Sequence, residues 1–310
     1  MRVQVSPAAQ RIVKNKPKII VIVGPTASGK SGLAVKLAKK FDGEVISADS
    51  RQVYRGLDIG SAKVTPEEMD GVPHHLLDVA DPTDTYTAAD FKRDALLAID
   101  DIIARGKLPV ICGGTFFYID SLLGKVSLPE VEPDEELRAE LAEKSAAELF
   151  EILETLDPDR AASIERENPR RLIRAIEIAK KLGSVPETQT IDCPYEVLMI
   201  GLSIDMDKHK DVLHQRIIDR LDSGMIEEVE RLLQNGVPHE RLEALGLEYR
   251  YISRFLRGLL TREEMIEGLT IKSRQFAKRQ LTWLKRDRSI KWFDHSDDAI
   301  VGVVRSFLQA

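Results

Sequence analysis

Residues 19–31 read Ile19-Ile20-Val21-Ile22-Val23-Gly24-Pro25-Thr26-Ala27-Ser28-Gly29-Lys30-Ser31. The unbroken apolar run fits a strand buried on both faces, and the eight residues after it carry the spacing G-x-x-x-x-G-K-[ST] of a phosphate-binding loop. In such a loop successive backbone N–H groups converge on phosphate oxygens, a lysine adds a point charge, and the final hydroxyl can hold Mg²⁺. Gly24, Pro25, Thr26, Ala27, Ser28 and Gly29 form the loop, Lys30 brings the charge, and Ser31 is the candidate metal-facing hydroxyl. Leu33, Leu37 and Ala38 then fall near one helical face, so strand, loop and helix follow in the order the motif requires. A phosphorylated ligand is implied. ATP is not specified.

Outward from this stretch, short apolar runs alternate with helical periodicity: 19–23, then 44–48, then 108–112. Alternation of this kind predicts a parallel α/β sheet flanked by helices, a P-loop NTPase-like core with ligands at the carboxyl ends of the strands. From about Val126 to Gly183 the strand-like runs vanish and charged helical segments take over, which predicts an all-helical insertion. Asp157-Pro158 and Asn168-Pro169 each set a capping side chain before a proline at the first helical position, and Gly183 follows Lys180-Lys181-Leu182 as a helix stop. Val197 to Leu202 predicts a further strand and Ile290 to Phe293 a short last one. The expected organisation is an N-terminal tail at 1–16, a core at 17–125 and 184–310, and a helical insertion at 126–183.

The 310 residues are 43% hydrophobic, ample for a buried core. No apolar stretch approaches the roughly 20 residues that cross a bilayer, and Met1 to Lys16 is polar and basic without a signal-peptide apolar region. A cytoplasmic protein without membrane attachment is expected. Cys112 and Cys193 are too few for a zinc module and read as buried reduced thiols. The formal net charge of −6, from 45 Lys+Arg against 51 Asp+Glu, argues on its face against a nucleic-acid partner. Its distribution argues the other way. Between Gly268 and Trp292 eight cations stand with Asp287 as the sole acid; Ala277, Leu281 and Leu284 can supply a buried stripe while Arg274, Lys278 and Lys285 form a basic ridge.

Asp49 closes an apolar strand and would sit across the cleft from the phosphate loop, where a carboxylate can take a proton from an incoming nucleophile. The rival reading is an acid on Mg²⁺. Thr115 follows Gly113 and Gly114 at a strand end, either approaching an anion or capping the next helix. Arg216 and Arg220 lie one helical turn apart on one face, a spacing that suits a diphosphate. His74 and His75 lack a partner at zinc-ligand spacing and read as structural.

Several segments together resemble the tRNA dimethylallyltransferase (tRNA isopentenyltransferase) family, bacterial type. They are Gly24 to Ser31, Ile-Ser-Ala-Asp-Ser at 46–50, Asp-Ile-Gly-Ser-Ala-Lys at 58–63, Tyr-Thr-Ala-Ala-Asp-Phe at 86–91, Gly-Gly-Thr at 113–115, Arg-Arg-Leu-Ile-Arg-Ala-Ile-Glu at 170–177 and Ala-Lys-Arg-Gln-Leu-Thr-Trp at 277–283. The resemblance spans nearly the whole chain. It implies transfer of a dimethylallyl group from dimethylallyl diphosphate to N6 of adenosine 37 in tRNAs reading codons that start with U, giving N6-isopentenyladenosine. By the same resemblance the phosphate loop grips the donor's diphosphate without hydrolysing a nucleotide. Lys30, Thr115 and Arg220 would stabilise the leaving diphosphate, Ser31 would hold Mg²⁺, and Asp49 would accept a proton from the adenine amine. Asp49, Ser50, Arg51, Gln52, Thr115, Arg138, Arg170, Arg171, Arg174, Arg274, Lys278, Arg279 and Gln280 would contact tRNA, with the insertion clamping the anticodon stem-loop of a monomeric enzyme.

The chain departs from the family pattern at Glu243 to Tyr249, where many members carry Ile-Gly-Tyr, and at Val185 to Thr188, where a Pro-x-Ser is frequent. A small-molecule kinase shares the loop and an acid after the second strand, and a tRNA-binding protein could keep the loop for structure alone. The relative that prenylates free adenine nucleotides shares the first motifs; the insertion and the basic helix favour a macromolecular acceptor.

Overall fold

The computed structural model describes residues 16–187, 190–294 and 299–310, so that the expected tail lies outside the described residues except for Lys16. The chain divides into two compact units: one runs to Leu123 and resumes at Asp192, the other spans Gly124–Ile191.

The first unit begins β1 (Lys18–Val23), α1 (Lys30–Lys40), β2 (Gly43–Ser47), α2 (Pro66–Met69), β3 (His74–His75), α3 (Ala88–Ala104), β4 (Leu108–Gly113) and α4 (Phe116–Leu122). The second unit is helical: α5 (Glu135–Ala142), α6 (Ala146–Leu156), α7 (Pro158–Ser163) and α8 (Pro169–Leu182). The first then resumes with β5 (Glu196–Leu202), α9 (Met206–Asp222), α10 (Met225–Gln234), α11 (His239–Leu245), α12 (Leu247–Leu256), α13 (Arg262–Leu284), β6 (Lys291–Phe293) and α14 (Ala299–Gln309).

The six strands form one sheet in the order β3-β2-β4-β1-β5-β6, with every pairing parallel. β1 sits inside the sheet because both of its faces are apolar. Ile19, Val21 and Val23 pack with α3 and α4 on one side, and Ile20 and Ile22 with α1 and α14 on the other. Each of these fully covered side chains contributes roughly 1.5–3 kcal/mol by leaving water. β3 has two residues, too few for a period-2 signal, and the sequence does not announce it. Its histidines are spent on structure: His74 Nδ1 meets Val72 O at 2.9 Å and His75 Nε2 meets Glu44 at 2.7 Å.

A third core joins α9 through α13 to the segment after β2, where Val53, Tyr54 and Leu57 are buried against Ile217, Leu221, Met225 and Tyr249. In the helical unit, Asp157 and Asn168 accept the N–H groups of Arg160 and Arg171 at the starts of α7 and α8, and Gly183 ends α8 at φ 87°. Leu149, Leu153, Leu172 and Ile176 make its own core. Among the described residues no helix is long and apolar enough to cross a membrane.

Candidate active site

The parallel sheet presents the carboxyl ends of its strands on one edge, and there a cleft of about 1040 Å³ opens over the phosphate loop. Thr26 to Ser31, Asp49, Gln52, Cys112 and Arg216 all line it. The loop turns tightly: Gly29 sits at φ 84° and Ala27 at φ 60°, left-handed conformations that only glycine adopts without strain. Lys30 opens α1, and its Nζ donates to Pro25 O at 3.1 Å, folding the side chain back along the loop. Burial pushes the Lys30 ammonium below the usual lysine range, and Arg216 pushes the same way; Cys112 and Asp49 oppose them. An anion arriving beside Lys30 would relieve that desolvation. Burial likewise lowers Arg216, with Arg220 adding to it, and raises the Cys112 thiol to about 11, so Cys112 stays a neutral thiol.

Asp49 lies two residues beyond β2. The ends of β2 and β4 continue to pair past the strands, with Ala48 N donating to Cys112 O at 2.8 Å and Thr115 N to Ala48 O at 3.1 Å. This approach requires glycine at 113, since a Cβ there would stand 2.1 Å from Ala48 O. The Asp49 carboxylate is itself oriented: Oδ1 accepts Arg51 N–H at 2.8 Å and Gln52 N–H at 3.4 Å. Thr115 makes no side-chain bond to the start of α4; its hydroxyl accepts Ser50 N–H at 2.9 Å, tying the Asp49 turn to the end of β4. Gln52 accepts from Ser47 Oγ at 2.9 Å and donates to Ala62 O at 3.1 Å, linking β2 to the 58–64 segment that forms another wall. Arg51 is half-buried next to Asp49, and burial lowers its guanidinium against the pull of that carboxylate.

Arg216 reaches the cleft, whereas Arg220 is occupied one turn further along α9, donating to Gly60 O at 3.0 Å and to Glu248 at 3.3 Å. Gln280 is buried, and both ends of its amide are engaged within the fold: Oε1 accepts Thr26 N–H at 2.9 Å and Nε2 donates to Gly114 O at 3.1 Å. It braces the phosphate loop against the end of β4. Arg274, Lys278 and Arg279 are exposed on α13, with the Arg279 guanidinium 5.9 Å from the Phe276 ring centre. In the helical unit Arg138 and Arg174 both pair with the buried Glu177, Arg171 pairs with Glu165 at 3.0 Å, and Arg170 is exposed.

Two residues that the sequence reading missed hold the site together. Glu228 accepts the N–H groups of Asp58, Ile59 and Gly60, and His209 contacts Thr26 O at 2.9 Å. Each carried a signal. Glu228 falls on the apolar stripe of Met225, Val229 and Leu232, and His209 continues the row Leu213, Ile217, Leu221 at intervals of four.

A strand–loop–helix phosphate cradle with a carboxylate at the next strand end is shared by several enzyme classes, and comparison with known proteins separates them. The family model described as IPP transferase matches residues 52–287. The chain belongs to the IPP transferase family. Its relatives include a tRNA dimethylallyltransferase from Thermomicrobium roseum, 44% identical over 291 residues that cover 91% of this chain and 87% of the relative. Among solved structures, the full-length tRNA isopentenylpyrophosphate transferase of Bacillus halodurans matches with a TM-score of 0.71 at 39% identity, covering 95% of this chain and 96% of its own. A eukaryotic dimethylallyltransferase acting on tRNA matches with a TM-score of 0.82 at 28% identity, covering 94% and 80%. The match of this IPP transferase to the family model begins at Gln52, so the phosphate loop and Asp49 precede the matched segment; the bacterial relatives cover nearly the whole chain.

Proposed function

We propose that this IPP transferase moves a dimethylallyl group from dimethylallyl diphosphate to N6 of adenosine 37 in tRNAs reading codons that start with U. The observation that carries the reading is the shared cleft: Lys30 and Arg216 on its phosphate side, with the oriented carboxylate of Asp49 at the neighbouring strand end. N6 of the adenine attacks C1 of the donor, the C1–O bond breaks, and its electron pair leaves with the diphosphate. Cationic Lys30 and Arg216 and the loop N–H groups are preorganised for the charge that grows on those oxygens. Asp49 takes the proton that N6 loses, its Oδ1 already fixed by two N–H groups.

Ser31 lines the cleft together with the rest of the phosphate loop. A loop hydroxyl beside the place of the diphosphate fits Mg²⁺, which keeps several waters and takes few protein ligands besides phosphate oxygens. Bound there, the ion would neutralise leaving-group charge. The target base is drawn out of the anticodon loop at a cost of roughly a few kcal/mol. The exposed cations of α13 and of the helical unit would meet tRNA phosphates, in a monomeric cytoplasmic enzyme.

The test is to incubate the protein with dimethylallyl diphosphate, Mg²⁺ and unmodified tRNA, with AMP as competitor. The expected result is one added dimethylallyl group on adenosine 37 and none on AMP. Modification of AMP alone, or ATP consumption without RNA, would overturn the reading.

A further inference from the structure

His209 is 3% exposed, yet it belongs to the wall of the cleft. Its Nε2 lies 2.9 Å from Thr26 O, and a carbonyl only accepts, so Nε2 carries the proton and donates. Its Nδ1 is buried with no hydrogen-bond partner. Burial holds the imidazole below the usual histidine range, with Arg216 and Lys30 pushing the same way and the hydrogen bond to Thr26 O opposing them. A buried imidazole with one nitrogen unsatisfied costs free energy that a leucine at the same place would not.

The other side of the same residue is held too. Thr26 N–H donates to Gln280 Oε1, so Thr26 is clamped at its carbonyl by α9 and at its amide by α13. The peptide between Thr26 and Ala27 is planar, so fixing the Thr26 oxygen also fixes the direction of the Ala27 N–H. Ala27 is the loop residue at φ 60°, a conformation that persists only where its surroundings over-determine it. The preceding Pro25 has no N–H to contribute, and its carbonyl takes the Lys30 ammonium. The geometry therefore gives the middle of the loop two external restraints, both from helices remote in sequence.

We propose that His209 is a positioning residue of the donor site: by gripping the Thr26 carbonyl it keeps that oxygen out of the anion's path and holds the loop in its diphosphate-receiving shape. This rests on the reading of the phosphate loop as the donor site. Because the clamp acts on the loop and not on the acceptor, its loss weakens diphosphate binding and leaves tRNA binding alone.

The experiment uses the full chain with inorganic pyrophosphate and Mg²⁺ in calorimetry, and with dimethylallyl diphosphate and tRNA in steady-state kinetics. His209→Leu removes the donor; His209→Gln returns an amide N–H to the place of Nε2. The expected result for His209→Leu is a Kd for pyrophosphate and a KM for dimethylallyl diphosphate raised about fivefold to tenfold, the worth of one hydrogen bond. The KM for tRNA stays within about twofold, and His209→Gln recovers most of the loss. If the leucine variant melts without cooperativity, His209→Asn, whose shorter amide cannot reach Thr26, replaces it. Equal pyrophosphate binding by wild type and His209→Leu overturns the clamp, as does an equal loss in the leucine and glutamine variants. Wild-type protein that binds no pyrophosphate overturns the donor-site reading itself.

Discussion

The hydroxyl of Tyr249 on α12 donates to the Glu228 carboxylate on α10 at 2.9 Å, inside a pocket that excludes water from both. Glu228 has four donors: that hydroxyl and the backbone N–H groups of Asp58, Ile59 and Gly60 at 3.0, 2.6 and 3.0 Å. The segment they fix carries Ser61, Ala62 and Val64 to the cleft wall. Burial first, and then the Glu228 charge, push the Tyr249 phenol well above its ordinary range, so it remains a donor at all working pH.

Replacing Glu228 by Ala strands the buried Gly60 N–H and Tyr249 phenol and frees the part-buried N–H groups of Asp58 and Ile59, a loss on the order of 3 kcal/mol. Glutamine does not repair it, because one amide end would present N–H to N–H. Tyr249→Phe removes a single bond and should cost about 1 kcal/mol. Urea unfolding of the three variants should rank Glu228→Ala and Glu228→Gln together, well below Tyr249→Phe. A glutamine variant as stable as wild type would contradict the four-donor arrangement.

Asp49→Asn separates geometry from proton acceptance. The asparagine carbonyl can keep both N–H groups that Asp49 Oδ1 accepts, so the turn at 49–52 should persist and the melting temperature should hold. What disappears is the base. The rate of prenyl transfer should fall by about 10²–10⁴, with pyrophosphate affinity unchanged within about twofold. Single-turnover measurement with saturating donor and tRNA checks this, and a rate within tenfold of wild type would remove Asp49 from the chemistry.

Most of the core was legible because its signals are local. The run 19–23 is apolar on both faces because helices cover both sides of the sheet, and the spacing of Gly24 to Ser31 is set by backbone geometry within one turn. The paired caps Asp157 and Asn168 act on N–H groups three residues away. What the sequence hid is long-range. Gln280 is 254 residues from Thr26, and nothing in its basic helix marks it as a brace of the phosphate loop. Arg220 shares a face with Arg216, yet Glu248 and Gly60 O occupy it, and that partnership depends on how α12 lies against α9. Arg138 and Arg174 have the composition of an RNA-binding surface and are paired with one buried carboxylate.

That carboxylate, Glu177, is 2% exposed at its side chain and also accepts Asp134 N–H at 2.7 Å. Its hydrogen bonds to that N–H, to Arg174 and to Arg138 hold it below the usual glutamate range even though burial, the largest single influence, acts the other way. Glu177→Gln keeps the shape and removes the charge, leaving Arg174 without its counter-ion and Arg138 with only the exposed Glu135, at a cost on the order of 3 kcal/mol. Gly124–Ile191 is a compact unit with its own core, so the damage should be confined there. Hydrogen exchange should speed up in α5 and α8 while β1 and α1 stay protected and pyrophosphate still binds. Equal deprotection of β1 would refute a separate unit.

At the opposite end of the sheet Glu44 gives the fold a pH dependence with a definite sign. Its carboxylate, 2% exposed, meets Arg105 Nη2 at 2.8 Å, His75 Nε2 at 2.7 Å and Lys107 Nζ at 3.4 Å. Hydrogen bonding to Arg105 leads in lowering its pKa to about 2, with His75 and Lys107 adding to it and burial opposing. A carboxylate whose folded pKa lies below its unfolded value near 4.5 stabilises the fold above that value and loses the contribution as pH falls toward 2. A shift of this size is worth on the order of 3 kcal/mol at neutral pH. Glu44→Gln should therefore be less stable than wild type by about that amount at pH 7, and the gap should close progressively between about pH 4.5 and pH 2. Paired denaturant titrations at several pH values measure it. A gap that stays constant down to pH 3 would mean that Glu44 stabilises through shape and hydrogen bonding alone, without its charge.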